Sequence, residues 1–223
     1  MCGRYSILDD IDELCERFAC PNPGFTMKPR YNAAPSQTLP VVIKSPEGNQ
    51  LRMMRWGLVP RWAREAKIGN RLINARIETV AEKPAFRSAL RYRRCLVPAD
   101  GYYEWFPAEK GKIPYRVMKK SREVFAFAGL WETWTDPQGA DLETFTIITT
   151  EPVPAIAWLH NRMPLILPRH LEAVWLNGPE ALNPEAIKAL LYRLRPEDEL
   201  EYYAVSTRVN SPSNDDSSVI EAV

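Results

Sequence analysis

The chain is poor in several features that would assign it to a class at once. Its net charge over 223 residues is only +1, whereas proteins that hold nucleic acid by bulk electrostatics are strongly basic. Any nucleic-acid contact therefore has to come from local clusters of arginine and planar side chains. Histidine is scarce, with only His160 and His170. The four cysteines, Cys2, Cys15, Cys20 and Cys95, show no CxxC spacing, so a zinc site is not expected. Neither a metal nor a cofactor enters the reading. Cys15 and Cys95 lie in apolar contexts and read as buried thiols, and a disulfide framework does not suit a cytosolic chain of this size. No run approaches the ~18 apolar residues that span a bilayer, and the start lacks a basic-then-apolar signal pattern. A cytoplasmic protein with no membrane partner is expected.

Repeats, low-complexity blocks and linkers are also missing, which leaves one domain, large enough to bury a core. Its body is expected over residues 1–210. A polar tail follows over 211–223, loose from Ser211 to Ser218, after which Val219-Ile220 could add a last edge strand. Ser6-Ile7-Leu8-Asp9 reads as a capping box. Leu8, Ile11, Leu14, Cys15 and Phe18 recur at helical spacing and predict a helix over 7–19. Strands are predicted over 39–44 and 51–56, and a short helix over 84–92. From residue 94, apolar runs at 95–97, 102–106, 115–118, 124–128 and 145–149, separated by turn residues, predict antiparallel pairing. Helical patches at 170–176 and 184–194 precede a strand at 202–205. Twenty prolines keep the elements short. The fold class is α+β: a single domain with a mostly antiparallel, barrel-like sheet and short flanking helices.

What the chain does have is Met1-Cys2-Gly3-Arg4 at its start. Methionine before a small residue is usually removed, which would leave Cys2 with an α-amine and a thiol on adjacent carbons. Such a 1,2-aminothiol condenses with an aldehyde to an imine and closes through sulfur to a thiazolidine. An α-amine titrates at ~7.7–8.0 against ~10.4 for lysine, so its neutral fraction at pH 7 is a few hundredfold larger. A thiol at ~8.5 is a few per cent thiolate, and more beside a cation. Ring closure gains the effective molarity of an intramolecular step. Taken alone, Cys2 reads more readily as an ordinary second residue.

Other residues carry a functional and a plain reading side by side. Glu104 lies among Tyr102, Tyr103, Trp105 and Phe106. Strand alternation places Glu104 on one face with Tyr102 and Phe106, and Tyr103 and Trp105 on the other. A carboxylate among rings is poorly solvated, the condition that suits it to proton transfer near neutrality; the plain reading is a solvent-facing edge residue. His160 follows Ala155-Ile156-Ala157-Trp158-Leu159 and is either a capping residue or a proton donor near pH 7. Asn74 is either a turn former or a neutral group that orients an amine or hydroxyl. Arg4, Arg76 and Arg162 are either surface ion pairs or phosphate ligands, since arginine forks match phosphate. Trp56 reads as core, whereas Trp62, beyond Pro60 and flanked by arginines, reads as a base-stacking wedge on a mobile loop.

Five motifs then fall in one order. Met1-Cys2-Gly3-Arg4, Arg30-Tyr31-Asn32-Ala33-Ala34-Pro35, Ile73-Asn74-Ala75-Arg76-Ile77-Glu78-Thr79, Asp100-Gly101-Tyr102-Tyr103-Glu104-Trp105 and His160-Asn161-Arg162-Met163-Pro164 resemble the SOS-response-associated peptidase (SRAP) family. Val205 to Asn210 resembles its closing strand. The resemblance implies recognition of abasic sites in single-stranded DNA, with Cys2, Asn74, Glu104 and His160 catalytic. It implies DNA contacts at Arg4, Asn32, Trp62, Arg76, Thr149, Arg162 and Met163. Family members often carry two adjacent tryptophans where this chain has Trp62-Ala63, a departure that bears on stacking and not on the chemistry. The function expected is a covalent thiazolidine crosslink between Cys2 and the sugar aldehyde, shielding the lesion, with weak lyase and self-processing peptidase side activities. The protein is expected to act as a monomer, nucleoid-associated when on DNA. Two rivals stand beside it: an N-terminal cysteine peptidase or amidase acting on a peptide, and a non-catalytic single-strand binding module.

Overall fold

The structure, a computed structural model, describes residues 2–177, 183–194 and 196–223. Its first elements are β1 (Tyr5–Ile7), α1 (Ile11–Phe18), β2 (Arg30–Ala33), β3 (Thr38–Ser45), β4 (Gly48–Trp56) and β5 (Asn74–Arg76). There follow α2 (Arg87–Tyr92), β6 (Arg94–Ala99), β7 (Gly101–Pro107), β8 (Lys112–Lys119), β9 (Phe125–Thr135) and β10 (Asp141–Thr150). The chain closes with β11 (Met163–Pro164), β12 (Ile166–Leu167), α3 (Arg169–Leu176), α4 (Pro184–Arg193) and β13 (Leu200–Ala204).

Local sequence explains the hairpins. Strands β3 and β4 pair from Thr38↔Arg55 to Ser45↔Gly48 around a two-residue Pro46-Glu47 turn. Gly48 sits at φ +130, a region a side chain disfavours. Strand β9 pairs β6 on one edge and β10 on the other, and β10 returns to β4. Thus β10, β4, β3, β6 and β9 close on themselves, which removes the open edges that a sheet of this length would expose. Closure relies on parallel pairing of β4 with β10, and β5 also joins β10 in parallel. All other pairings are antiparallel. A second sheet, ordered β13-β8-β7-β1-β2, leans on this barrel. Large side chains fill the space between them: Tyr5, Trp56, Tyr102, Phe127 and Phe145 are all buried, with Trp56 stacked on Phe145 at 6.2 Å. Full burial of each such side chain is worth about 1.5–3 kcal/mol.

Two local expectations are corrected. The first helix begins at Ile11, and its capping box is Asp10 with Glu13. Ser6 is instead buried in β1, where its hydroxyl donates to Asp100 at 2.5 Å. The tail is not loose. Asp215 pairs with Arg30 at 2.6 Å, Val219 is fully buried in a single 3-10 turn, and a lone bridge joins Val205 to Ala222 where an edge strand at Val219-Ile220 was expected. No helix among the described residues is long and apolar enough to cross a membrane.

Candidate active site

Cys2 enters the junction between the two sheets. Tyr5 pairs with Tyr102, and the Tyr103 N–H donates to the Arg4 carbonyl at 3.0 Å. Continuing that antiparallel ladder runs Cys2 alongside the end of β7 that bears Glu104. The thiol is fully buried, and burial first, then the Glu104 charge, push its pKa up to about 12. Burial thus works against the few per cent of thiolate that an ordinary thiol carries at neutral pH.

From the barrel side, β5 reaches the same place. The Asn74 Nδ2 donates to the Cys2 carbonyl at 2.7 Å, and Asn74 Oδ1 is buried with no hydrogen-bond partner among the described residues. Asn74 can sit here because β5 is laid parallel on β10, with Asn74 opposite Ile147. Glu104 is buried on β7, across from Tyr115 of β8. Tyr102 and Phe106 share its face toward the main core, while Tyr103 and Trp105 pack on the other side against the C-terminal segment. The alternation read from the sequence is therefore the one observed.

His160 hangs in the loop before β11. Its Nδ1 lies 2.9 Å from the Arg162 N–H and 3.2 Å from the Arg162 carbonyl. The shorter contact makes Nδ1 the acceptor, so a neutral ring carries its proton on Nε2. Arg162 holds the loop in turn. Its guanidinium forks onto Glu78 at 2.7 and 3.0 Å and donates to the Thr149 carbonyl at 2.6 Å.

The expected DNA contacts divide into exposed and enclosed groups. Trp62 is 61% exposed and borders a cleft of about 470 Å³ with Arg64, Lys67 and Arg71. Its loop, expected to be mobile, is tied on both sides: Arg61 pairs with buried Glu132 at 2.8 Å, and the Trp134 indole donates to the Ala63 carbonyl at 2.8 Å. The loop's base depends on two glycines: a Cβ on Gly57 would lie 2.6 Å from the Gly69 carbonyl oxygen. Arg76 is exposed beside Asn74. Arg4 is half-buried, donating to Asn32 Oδ1 at 2.9 Å and the Val209 carbonyl at 2.8 Å, with its guanidinium 5.9 Å from the Trp105 ring centre.

Three residues expected at the DNA surface are enclosed instead. Asn32 is fully buried, and its amide faces the carbonyls of Val209, Ser211 and Asn214 at 2.8–3.2 Å, latching the C-terminal segment. Thr149 and Met163 are fully buried where β10 pairs β11. Their side chains present no surface to a ligand in this conformation. Sequence reasoning missed Glu78, although it lies in a quoted motif, and Trp105, whose indole donates to Asn210 Oδ1 at 2.7 Å. It also missed the Tyr5 hydroxyl, buried with no partner among the described residues and with its pKa raised by that burial. Met1 lies outside the described residues. Among those described, no three His, Cys, Asp or Glu side chains cluster as a metal site requires.

Fold and site together define a protein with a cysteine enclosed between a closed barrel and a second sheet, its carbonyl bound by Asn74 and its thiol under the influence of Glu104. The chain belongs to the SOS response associated peptidase (SRAP) family, which it matches over residues 1–212. It is 44% identical over 225 residues, covering all of both chains, to the abasic site processing protein YoqW of Bacillus subtilis. With the abasic site processing protein HMCES of Gallus gallus it shares 32% identity, over 84% of this chain and 64% of the relative. A crystal structure of a protein from Bacteroides thetaiotaomicron superposes with a TM-score of 0.86 at 28% identity, each chain covered in full.

Proposed function

We propose that this protein processes abasic sites in single-stranded DNA by joining Cys2 to the ring-opened sugar as a thiazolidine. With Met1 removed, the Cys2 amine adds to the C1′ aldehyde, and the carbinolamine loses water to give an imine. The thiol then adds across the C=N bond: sulfur bonds to C1′ and the thiol proton passes to nitrogen. The net reaction expels one water and needs no redox partner. Glu104 moves the protons of the amine and of the departing water. His160, its Nδ1 accepting from the Arg162 N–H, donates through Nε2 to the sugar ring oxygen as the ring opens. Asn74 fixes Cys2 through its carbonyl and offers Oδ1 to the amine or a sugar hydroxyl. An imine also acidifies the neighbouring carbon, so slow strand cleavage by β-elimination is the side reaction.

The observation that carries this reading is the enclosure of Cys2, fully buried with its carbonyl held by Asn74 at 2.7 Å and Glu104 buried on the neighbouring strand. A peptidase of the cysteine type needs a thiolate, and a site built for one lowers the thiol pKa; this site raises it. A neutral thiol next to a carboxylate suits the second step, in which the amine has already attacked. The relatives named as abasic site processing proteins support the substrate. Denaturing gels after mixing with uracil-excised single-stranded DNA test it. A heat-stable shifted band is expected with abasic strands and none with intact ones; absence of the band, with hydrolysis of a peptide instead, would favour the peptidase. Intact mass spectrometry must find Cys2 as an unblocked N-terminus in active protein.

A further inference from the structure

The His160 loop is held at both flanks, by different sheets and different physics. On its C-terminal side, Arg162 anchors it to the barrel through Thr149 and Glu78. On its N-terminal side, the anchor is a stack of rings. Trp158 packs against Phe106 at 5.2 Å, Tyr115 at 5.1 Å and Tyr202 at 5.1 Å between ring centres. Those three rings come from β7, β8 and β13 of the second sheet. The placement of two of them bears on the chemistry. Phe106 follows Glu104 by two residues on the same face of β7, and Tyr115 is the cross-strand partner of Glu104.

Trp158 thus stands on the neighbours of the carboxylate while belonging to the loop of the histidine. Its indole N–H turns back to the Ala155 carbonyl at 3.2 Å, closing the turn beneath it, and Leu159 is buried between it and His160. Yet Trp158 remains 41% exposed and Tyr202 42% exposed. Rings that serve only to fill a core are covered more fully; these form a buttress at the rim of the site. Offset and edge-on ring pairs have narrow preferred geometries, so the stack defines the height of the loop over β7.

We propose that Trp158 is a positioning residue that sets the distance between His160 and Glu104, so that the sugar ring oxygen and the Cys2 amine are served together. The inference rests on the crosslinking reaction proposed above. Misplacing a reacting group by about 1 Å costs on the order of 10²-fold in rate, and Trp158→Ala removes the loop's aromatic anchor to the second sheet.

The test is single-turnover crosslinking at saturating DNA with two substrates, an ordinary abasic site, mostly ring-closed, and an open-chain aldehyde in the same strand. Trp158→Ala should slow the ring-closed substrate by roughly 10²-fold and leave the open-chain rate nearly intact, because only the former needs His160. Trp158→Phe should recover most of the loss. Tyr202→Ala, which trims the stack from its outer side and is the milder lesion should Trp158→Ala fail to fold, should shift the ratio of the two rates in the same direction by less. Equal slowing of both substrates, in step with the folded fraction, would make Trp158 a plain packing residue and overturn the proposal, as would unchanged rates. A wild-type protein that crosslinks neither substrate would instead remove the reaction itself.

Discussion

Around Cys2 the side chains proposed to react are withdrawn from water: the thiol is fully buried, Glu104 nearly so, and Asn74 is fixed to the Cys2 carbonyl. Around Trp62 the reverse holds, with the ring standing out of a loop rich in arginine and lysine. Both regions are nonetheless rigidly built, the first by strand ladders, the second by the Arg61–Glu132 pair and the Trp134 bond. The difference teaches where each kind of interaction is effective. Proton transfer gains from exclusion of water, because fixed dipoles act strongly at low dielectric. Stacking and phosphate contact need an open face, since the partner is long and its sequence varies. Chemistry and affinity should therefore separate under mutation.

The largest separation is expected at Cys2. Cys2→Ala should abolish the heat-stable adduct while affinity for intact single strands stays at the wild-type level. Cys2→Ser, which keeps the amine, should still give an imine that borohydride traps. A stable crosslink from Cys2→Ala would point to a lysine nucleophile and break the comparison at its root.

Within the buried region, Glu104→Gln should slow crosslinking to every aldehyde, ring-closed or open, by ~10²–10⁴-fold. His160→Gln should fall in that range only for the ring-closed site. Equal losses on both substrates would return His160 to a positioning role. At the open face, Trp62→Ala should weaken binding by ~1–3 kcal/mol, roughly 5- to 150-fold, without altering the adduct rate at saturating DNA. A rate defect that persists at saturation would mean that the loop takes part in the chemistry.

Smaller effects sharpen the boundary. Arg76→Ala should flatten the salt dependence of binding by about 0.7 in the log–log slope for one phosphate contact on a single strand, with an unchanged melting temperature. Arg162→Ala should lower affinity and stability together, because it also releases Glu78 and the Thr149 carbonyl. The Cys2 thiol adds a pH signature. Its pKa rises from 9.0 to about 12 on folding, so its stabilising contribution is intact below pH 9 and is lost as pH rises toward 12. The loss runs at up to about 1.4 kcal/mol per pH unit. Urea midpoints at about pH 8 and about pH 10 should show the gap between wild type and Cys2→Ser shifting against the wild type; a constant gap would mean that water reaches the thiol.

Much of the strand layout was legible because it is local. Period-two alternation around Glu104 survives in the structure, as do the apolar runs bounded by turn residues, although the run at 124–128 extends to Thr135 in β9, and so does the contrast between buried Trp56 and exposed Trp62. The first capping box was misplaced by four residues because Ser6 and Asp10 carry the same local signal, and only the pairing of β1 with β7 assigns Ser6 to a strand. The DNA-facing set was the least legible. Asn32, Thr149 and Met163 lie in the quoted motifs or near them, yet their burial depends on the C-terminal latch and on β11 pairing with β10, contacts between segments remote in sequence.

By itself, then, the sequence determined the residue types of the chemistry, the faces of the strands that carry them, and the family. Those follow from covalent structure and from periodicities of two and 3.6 residues, which act over a few neighbours. Tertiary structure decided the rest: that the barrel closes through parallel pairing of β4 with β10, that Asn74 meets Cys2 across the gap between sheets, and that the thiol is buried. These depend on non-local pairings and on burial, and desolvation is a property of what surrounds a group, which no short stretch of chain contains.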